Sequence, residues 1–262
     1  MSAVRKASVV GAAGRMGEHV RAALAESDTL AFGGALEAPG HPAIGSELEG
    51  GVEITGDANQ AFAGCAVAID FTVPAATLAN LAVAADLGTA YVTGTTGFTP
   101  TQQAQLEALA ARIPVLHAPN FSVAVNVLAW LTREASRRLR DYDAEILELH
   151  HKAKRDAPSG TALRLAEAIA EGRDQKLADH LVLERAGEIG ARPDDAIGVQ
   201  TLRGGDNTGE HWVHFIGTGE RVELAHRSHT RAHFARGAAR AAAWLAGREP
   251  GLYRIEQVLG LE

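Results

Sequence analysis

Fifteen residues from Glu148 to Ala162, reading Glu-Leu-His-His-Lys-Ala-Lys-Arg-Asp-Ala-Pro-Ser-Gly-Thr-Ala, gather two histidines, three cations and a turn that opens a helix. An imidazole exchanges protons near neutral pH, so His150 is a candidate general acid. Lys154 can hold a carboxylate or deliver a proton; its bland alternative is a solvated surface charge. Pro158 and Ser159 are helix-start residues, and Gly160-Thr161 would present backbone N–H groups and a hydroxyl to an anion. In a strand over Ala144–His151, Ile146, Glu148 and His150 share one face, and Leu147, Leu149 and His151 the other. The leucines are expected to face the core, leaving Glu148 and His150 toward a cleft.

A second chemical pattern is Gly11-Ala12-Ala13-Gly14-Arg15-Met16-Gly17, which follows an apolar run and opens a helix. Glycines there permit a tight turn and close approach of a pyrophosphate, with the helix N-terminus supplying N–H donors. The spacing departs from G-x-G-x-x-G, Ala13 standing at the middle glycine position, so a ligand-free strand-to-helix turn is the competing interpretation. Glu37, twenty residues past Gly17, ends the second strand, where a carboxylate can accept bonds from a ribose 2′-hydroxyl. Ala38 follows it, with no adjacent cation for a 2′-phosphate, which favours NADH and leaves NADPH possible. Gly94-Thr95-Thr96-Gly97 and Asn120-Phe121-Ser122 occupy further strand ends, where open α/β sheets bind ligands.

The elements that must hold these groups are legible from pattern. Strands are predicted at Ala7–Val10, Leu30–Leu36, Val67–Phe71, Ala90–Thr93 and Val115–His117, alternating with helices at Arg15–Ala25, Ala75–Leu87 and Thr101–Ala111. That alternation implies a parallel sheet covered on both faces. After Asn120 the grammar changes: a long amphipathic helix over Val123–Leu139, the strand Ala144–His151, and a helix from Thr161 to Glu171. Strands at Ile197–Leu202, His211–Phe215 and Arg221–His226 suggest an open mixed sheet, and Ala232–Leu245 returns to helix, ended by Gly247 and Pro250. The fold expected is α/β: a Rossmann-like dinucleotide-binding domain, residues 1–121 completed by 232–262, plus an α+β domain over 122–231 for substrate binding and oligomerisation.

Bulk properties narrow the partners. At 262 residues and 46% hydrophobic the chain can bury a real core, and a formal charge of −7 argues against nucleic acid. Cys65 is alone, which excludes an internal disulfide and fits a reducing compartment. No apolar run reaches the roughly 20 residues of a membrane span. Arg5-Lys6 before Ala7–Ala13 mimics a signal peptide, but Arg15 interrupts so short a run, and a buried first strand fits better. A cytoplasmic location is expected. His211, His214, His226, His229 and His233 lack any metal-motif spacing and lie among Arg221, Arg227 and Arg231, so no metal is expected. Arg203 and the Gly204-Gly205 turn are weaker candidates for closing a substrate cleft.

His150-His151-x-x-Lys154-x-Asp156-Ala157-Pro158-Ser159-Gly160-Thr161-Ala162 closely resembles the hallmark of the dihydrodipicolinate (4-hydroxy-tetrahydrodipicolinate) reductase family. The likeness spans essentially the whole chain, through Gly11–Gly17, Asp70-Phe71-Thr72, Gly94–Gly97, Asn120–Ser122, Gly209-Glu210-His211 and Phe234-Ala235-x-Gly237-Ala238. The resemblance implies a reductase moving hydride from NAD(P)H into a cyclic, unsaturated dicarboxylate in the diaminopimelate route to lysine. It makes His150 and Lys154 the acids, and His151, Gly160 and Thr161 the substrate contacts. Cofactor contacts would be Gly11, Ala12, Ala13, Gly14, Arg15, Met16, Glu37, Gly94, Thr95, Thr96, Pro119, Asn120, Phe121 and Ser122. It also implies a homotetramer. Many members carry arginine where Ala38 stands, and often glycine where Ala124 stands. The rival readings are another NAD-dependent dehydrogenase of this architecture, acting on a small amino acid or aldehyde, and a non-enzymatic NAD(H)-sensing regulator.

Overall fold

The computed structural model describes residues 4–261, and the chain falls into two compact units divided after Ser122 and again after Arg231. The first unit runs β1 (Arg5–Val10), α1 (Arg15–Ala25), β2 (Leu30–Leu36), β3 (Glu47–Leu48), β4 (Val52–Thr55), α2 (Ala58–Phe62) and β5 (Val67–Asp70). It continues through α3 (Pro74–Leu87), β6 (Ala90–Thr93), α4 (Pro100–Ala110) and β7 (Pro114–His117). The second unit holds α5 (Val123–Arg138), β8 (Asp143–His150), α6 (Gly160–Arg173), α7 (Leu177–His180), β9 (Leu181–Val182), β10 (Ile197–Arg203), β11 (Glu210–Gly217) and β12 (Glu220–Arg227). The last elements, α8 (Ala232–Leu245), β13 (Gly251–Tyr253) and α9 (Ile255–Leu259), return to the first unit.

In the first unit the strands order β13-β7-β6-β5-β1-β2-β4-β3, all neighbours parallel except β3 with β4. The strands are short apolar runs because helices cover both faces; every residue of β5 and β6 is buried. Local chemistry sets the helix ends: Thr99 and Gln102 form a capping box on α4, and α3 starts on Pro74 and stops at Gly88 in the left-handed region. Helix α8 seats against the end of the β7 segment at Gly237, where any Cβ would overlap the Phe121 carbonyl oxygen. The cationic Arg5-Lys6 pair begins the internal strand β1, whose residues Ala7–Val10 are buried. From β1 the chain turns to β2 on one side, then returns to place β5 on the other, so the loops after β1 and β5 diverge at a topological switch point.

The second unit is a five-stranded sheet in the order β12-β11-β8-β10-β9, with β10 parallel to β8 and β9, and β11 antiparallel to β8 and β12. Helices α5 and α6 cover one face. The core there joins Leu128 and Ala129 of α5, Leu165 and Ile169 of α6, and Ile146, Val199, Val213 and Phe215 of the sheet. By register the opposite face carries Leu147, Leu149, Gln200, Leu202, Trp212 and Ile216, of which Leu202 is 48% and Ile216 40% exposed. On that face Arg185 and Arg192 clamp Glu145 at 2.7–2.8 Å, and Gly198 leaves room for its carboxylate. Ala124, in the first turn of α5, is exposed, so its methyl meets no packing demand.

Candidate active site

Strand β8 presents its faces opposite to the expectation. Ala144, Ile146, Glu148 and His150 are the buried set, whereas Leu147 and Leu149 lie half-exposed on the uncovered face. The correction has an electrostatic cause: Glu148 is buried as an ion because donors surround it. Its Oε1 accepts from Ser159 N–H (3.0 Å), Thr201 Oγ1 (3.2 Å) and Arg203 Nη2 (2.9 Å). Its Oε2 takes Arg203 Nη1 (3.0 Å) and pairs with His150 Nδ1. Burial pushes the Glu148 carboxyl upward, but the bonds from His150, Arg203 and Ser159 more than reverse this and hold it at about 2. The start of α6 adds its positive end, since Ser159 is the N-cap and its N–H is the donor.

Ser159 joins three groups. Its hydroxyl caps the Ala162 N–H (3.2 Å) and lies 3.2 Å from His211 Nε2, while its own N–H reaches Glu148. The His211 ring meets His150 edge to face, with centroids 5.2 Å apart. Burial, with the charge of His150 added, pulls the His211 imidazole down to about 3, so it is neutral across the physiological range. Two loops are stitched together beside this cluster. Gly204 N–H donates to the His150 carbonyl (3.0 Å), His151 N–H to Asn207 (2.8 Å) and Lys152 N–H to Gly205 (3.2 Å). Lys154 is half-buried, ion-paired with Asp156 at 2.8 Å, and the Asp156 carbonyl accepts from Arg203 at 2.6 Å. His151 is half-buried, and Gly160 and Thr161 form the first turn of α6.

The structure therefore brings His150, His151, Lys154 and Gly160-Thr161 together within one unit, at the carboxyl end of β8 and the start of α6. Arg203, a weak cleft-closing candidate on sequence, is instead the cation that neutralises Glu148. The pairing of Glu148 with Arg203 and His150, and the place of His211 beside them, are what sequence reasoning missed; the alternating Glu-x-His on one strand was the available signal. Among the described residues Glu148, His150 and His211 form the one group of acid and imidazole atoms spaced for an ion, within 4.8 Å of each other.

The other candidate residues lie in the first unit along the carboxyl edge of its sheet. Gly11 adopts a left-handed φ of +70°, and a Cβ there would press on the Thr72 methyl at 3.3 Å. Gly17 lets α1 sit directly on the turn, for its Cβ would collide with the carbonyls of Gly11 and Ala12. Ala13, Gly14 and Arg15 are exposed and Met16 half-buried, while Ala12 is buried. The buried carboxylate of Glu37 accepts from Ala13 N–H (2.8 Å) and Ala38 N–H (3.3 Å), which ties the end of β2 to the glycine turn. After β6, Gly94 makes room for the Phe71 ring, and Thr95 is fixed by Thr77 at 2.8 Å. Thr96 and Pro119 are exposed, Asn120 is half-buried, and Phe121 and Ser122 are buried, with Ser122 N–H donating to Asn120 Oδ1 (2.8 Å). Asp70, at the end of β5, is buried and bonded by Tyr91 Oη (2.8 Å) and Thr72 N–H (2.7 Å); burial nevertheless raises its carboxyl. No helix among the described residues is long and apolar enough to cross a membrane.

Comparison with known proteins agrees over both units. The family model for the dihydrodipicolinate reductase N-terminus matches residues 5–121, and that for the C-terminus matches residues 124–259. A 4-hydroxy-tetrahydrodipicolinate reductase of Anaeromyxobacter dehalogenans strain 2CP-1 is 50% identical over 264 aligned positions, 98% of each chain. The enzyme of the same name from Geotalea daltonii is 47% identical over 98% of this chain and 99% of its own. In fold, the chain is similar to a dipicolinate-bound dihydrodipicolinate reductase from Paenisporosarcina sp. TG-14, at a TM-score of 0.78 and 22% identity over 96% of this chain and 98% of that one. Matches to both family models, together covering nearly every residue, place the chain in the dihydrodipicolinate reductase family.

Proposed function

We propose that the protein reduces 4-hydroxy-tetrahydrodipicolinate, by way of dihydrodipicolinate, to tetrahydrodipicolinate in the diaminopimelate route to lysine. The observation that carries this reading is the convergence of His150 and the start of α6 on buried Glu148, with Lys154 joined to the same network through Asp156 and Arg203. The second unit is the substrate and oligomerisation domain, and the first, with 232–262, the dinucleotide domain. His150 and Lys154 are the acids. His151 and the Gly160-Thr161 turn hold a carboxylate, the positive end of α6 and the Lys154 ammonium supplying the field.

The first unit fits a dinucleotide, because its glycine turn leaves exposed backbone at the start of α1 and a buried acid beside it. Gly11, Ala12, Ala13, Gly14, Arg15 and Met16 would cradle the pyrophosphate, and Glu37 the adenosine ribose. Gly94–Thr96 and Pro119–Ser122 would line the remainder. When bound, the nicotinamide supplies hydride. NADH is the preferred cofactor: Glu37 is fixed by two backbone N–H groups and exposed Ala38 offers no cation to a 2′-phosphate. No metal takes part, since both oxygens of Glu148 are already committed to donors, Arg203 among them. The enzyme is a cytoplasmic homotetramer, assembled through the uncovered sheet face of the second unit.

The test is an assay in which the unstable cyclic substrate is generated in place. Purified protein should oxidise NADH only when that substrate forms, with a higher kcat/KM than for NADPH. Cofactor binding without substrate-dependent oxidation would favour the regulator, and a strong NADPH preference would mean that cations elsewhere replace the missing arginine.

A further inference from the structure

We infer that Glu148 is the positioning residue of the acid: it grips His150 by Nδ1, so that Nε2 is the nitrogen from which the proton leaves. The inference rests on the proposed reductase activity and adds a residue to its machinery. Glu148 is wholly buried, and its five bonds come from four residues on three elements: His150 on its own strand, Thr201 and Arg203 on β10, and Ser159 at the start of α6. A carboxylate held on this many sides cannot rotate away, and it fixes the ring plane of its partner.

The far side of the ring packs against the Gly209 backbone. A Cβ at Gly209 would stand 2.8 Å from His150 Nε2, so the glycine's missing side chain leaves room at that nitrogen. Its φ of +152° also lies where side-chain-bearing residues are strained. The groups facing His150 are Glu148 on β8, Arg203 on β10 and His211 on β11, with His226 of β12 stacked behind His211 at 6.1 Å. The following loop carries the Lys154–Asp156 ion pair, whose Asp156 carbonyl accepts from Arg203. Arg203 neutralises Glu148 and His211 is neutral; among the described residues the carboxylate bonded to the ring is Glu148, at Nδ1. In the proton step the Nε2–H bond breaks and a C–H bond forms on the substrate carbon. The ring is left neutral with its proton on Nδ1, shared with Glu148, and solvent restores the other.

Two measurements test this. Long-range ¹H–¹⁵N spectra of histidine-labelled wild-type protein, with His150 assigned by its loss in His150→Gln, should place the single proton of the neutral ring on Nδ1; a proton on Nε2 would overturn the inference. Glu148→Gln should lower kcat about 100-fold with NADH affinity unchanged. It should also move the alkaline limb of the kcat profile to lower pH, because the imidazolium loses its counter-charge. Glu148→Asp should return that limb toward the wild-type position. A loss of thermal stability with an unmoved profile would make Glu148 merely structural. If Glu148→Gln does not fold, the wild-type spectrum decides alone. Wild-type protein that never turns over would sink the reductase reading, while the tautomer would still report on Glu148.

Discussion

At the scale of single residues, the site is a set of unequal ionisable groups made so by their surroundings. His150→Gln should depress kcat far more than NADH affinity, since the glycine turn that would bind cofactor belongs to another unit; an unchanged kcat would remove His150 from the chemistry. The two shifted groups also make stability depend on acid. His211 is lowered from 6.5 to about 3, so the fold favours its neutral form, a contribution complete above pH 6.5 and lost as pH falls toward 3. Glu148 is lowered from 4.5 to about 2, so its contribution is complete above pH 4.5 and lost below. The urea midpoint should therefore decline from about pH 6.5 downward, and His211→Gln should flatten that decline between pH 6.5 and 4.5. A parallel decline in the variant would assign the acid loss to other groups. The identities of these residues were legible in sequence, but their facing was not. Both faces of β8 are apolar at two positions, so period-two alternation could not choose between them. What buries Glu148 is Arg203, 55 residues away, and no local pattern announces such a partner.

At the scale of elements, helix starts carry much of the positioning. Ser159→Ala removes both the Ala162 cap and the His211 contact while leaving the Glu148-binding N–H, and should cost about 1–2 kcal/mol in a denaturation titration. A loss near zero would mean that neither bond contributes. Gly237→Ala should destabilise the first unit by roughly 1–3 kcal/mol, because its methyl meets the Phe121 carbonyl rather than a yielding side chain. Strands such as Leu30–Leu36 and helices such as Arg15–Ala25 and Ala232–Leu245 were readable to the residue, their periodic or apolar runs being strong. Strand β4 and helix α2 escaped notice because Val52–Thr55 is short and lies among glycines and acids. The three residues of β13 are paired only by parallel register with Pro114–Leu116, a long-range partner that composition does not reveal.

At the scale of the whole molecule, the uncovered face of the second unit is the feature that asks for a partner. If Leu202 and Ile216 are buried between subunits, Leu202→Glu should shift the sedimentation mass from tetramer toward smaller species; an unchanged mass would place the interface elsewhere. The grammar change after Asn120 and the return to helix at Ala232 were both visible, because composition and periodicity alter there. The interleaved order of the two units has a consequence for synthesis. On the ribosome, β1 through β7 emerge before the middle unit, yet α8 and β13, which pack on Phe121 and pair with β7, emerge only after it. The middle unit can close while the opening one still waits for its final helix, so the nascent chain matures from the inside outward.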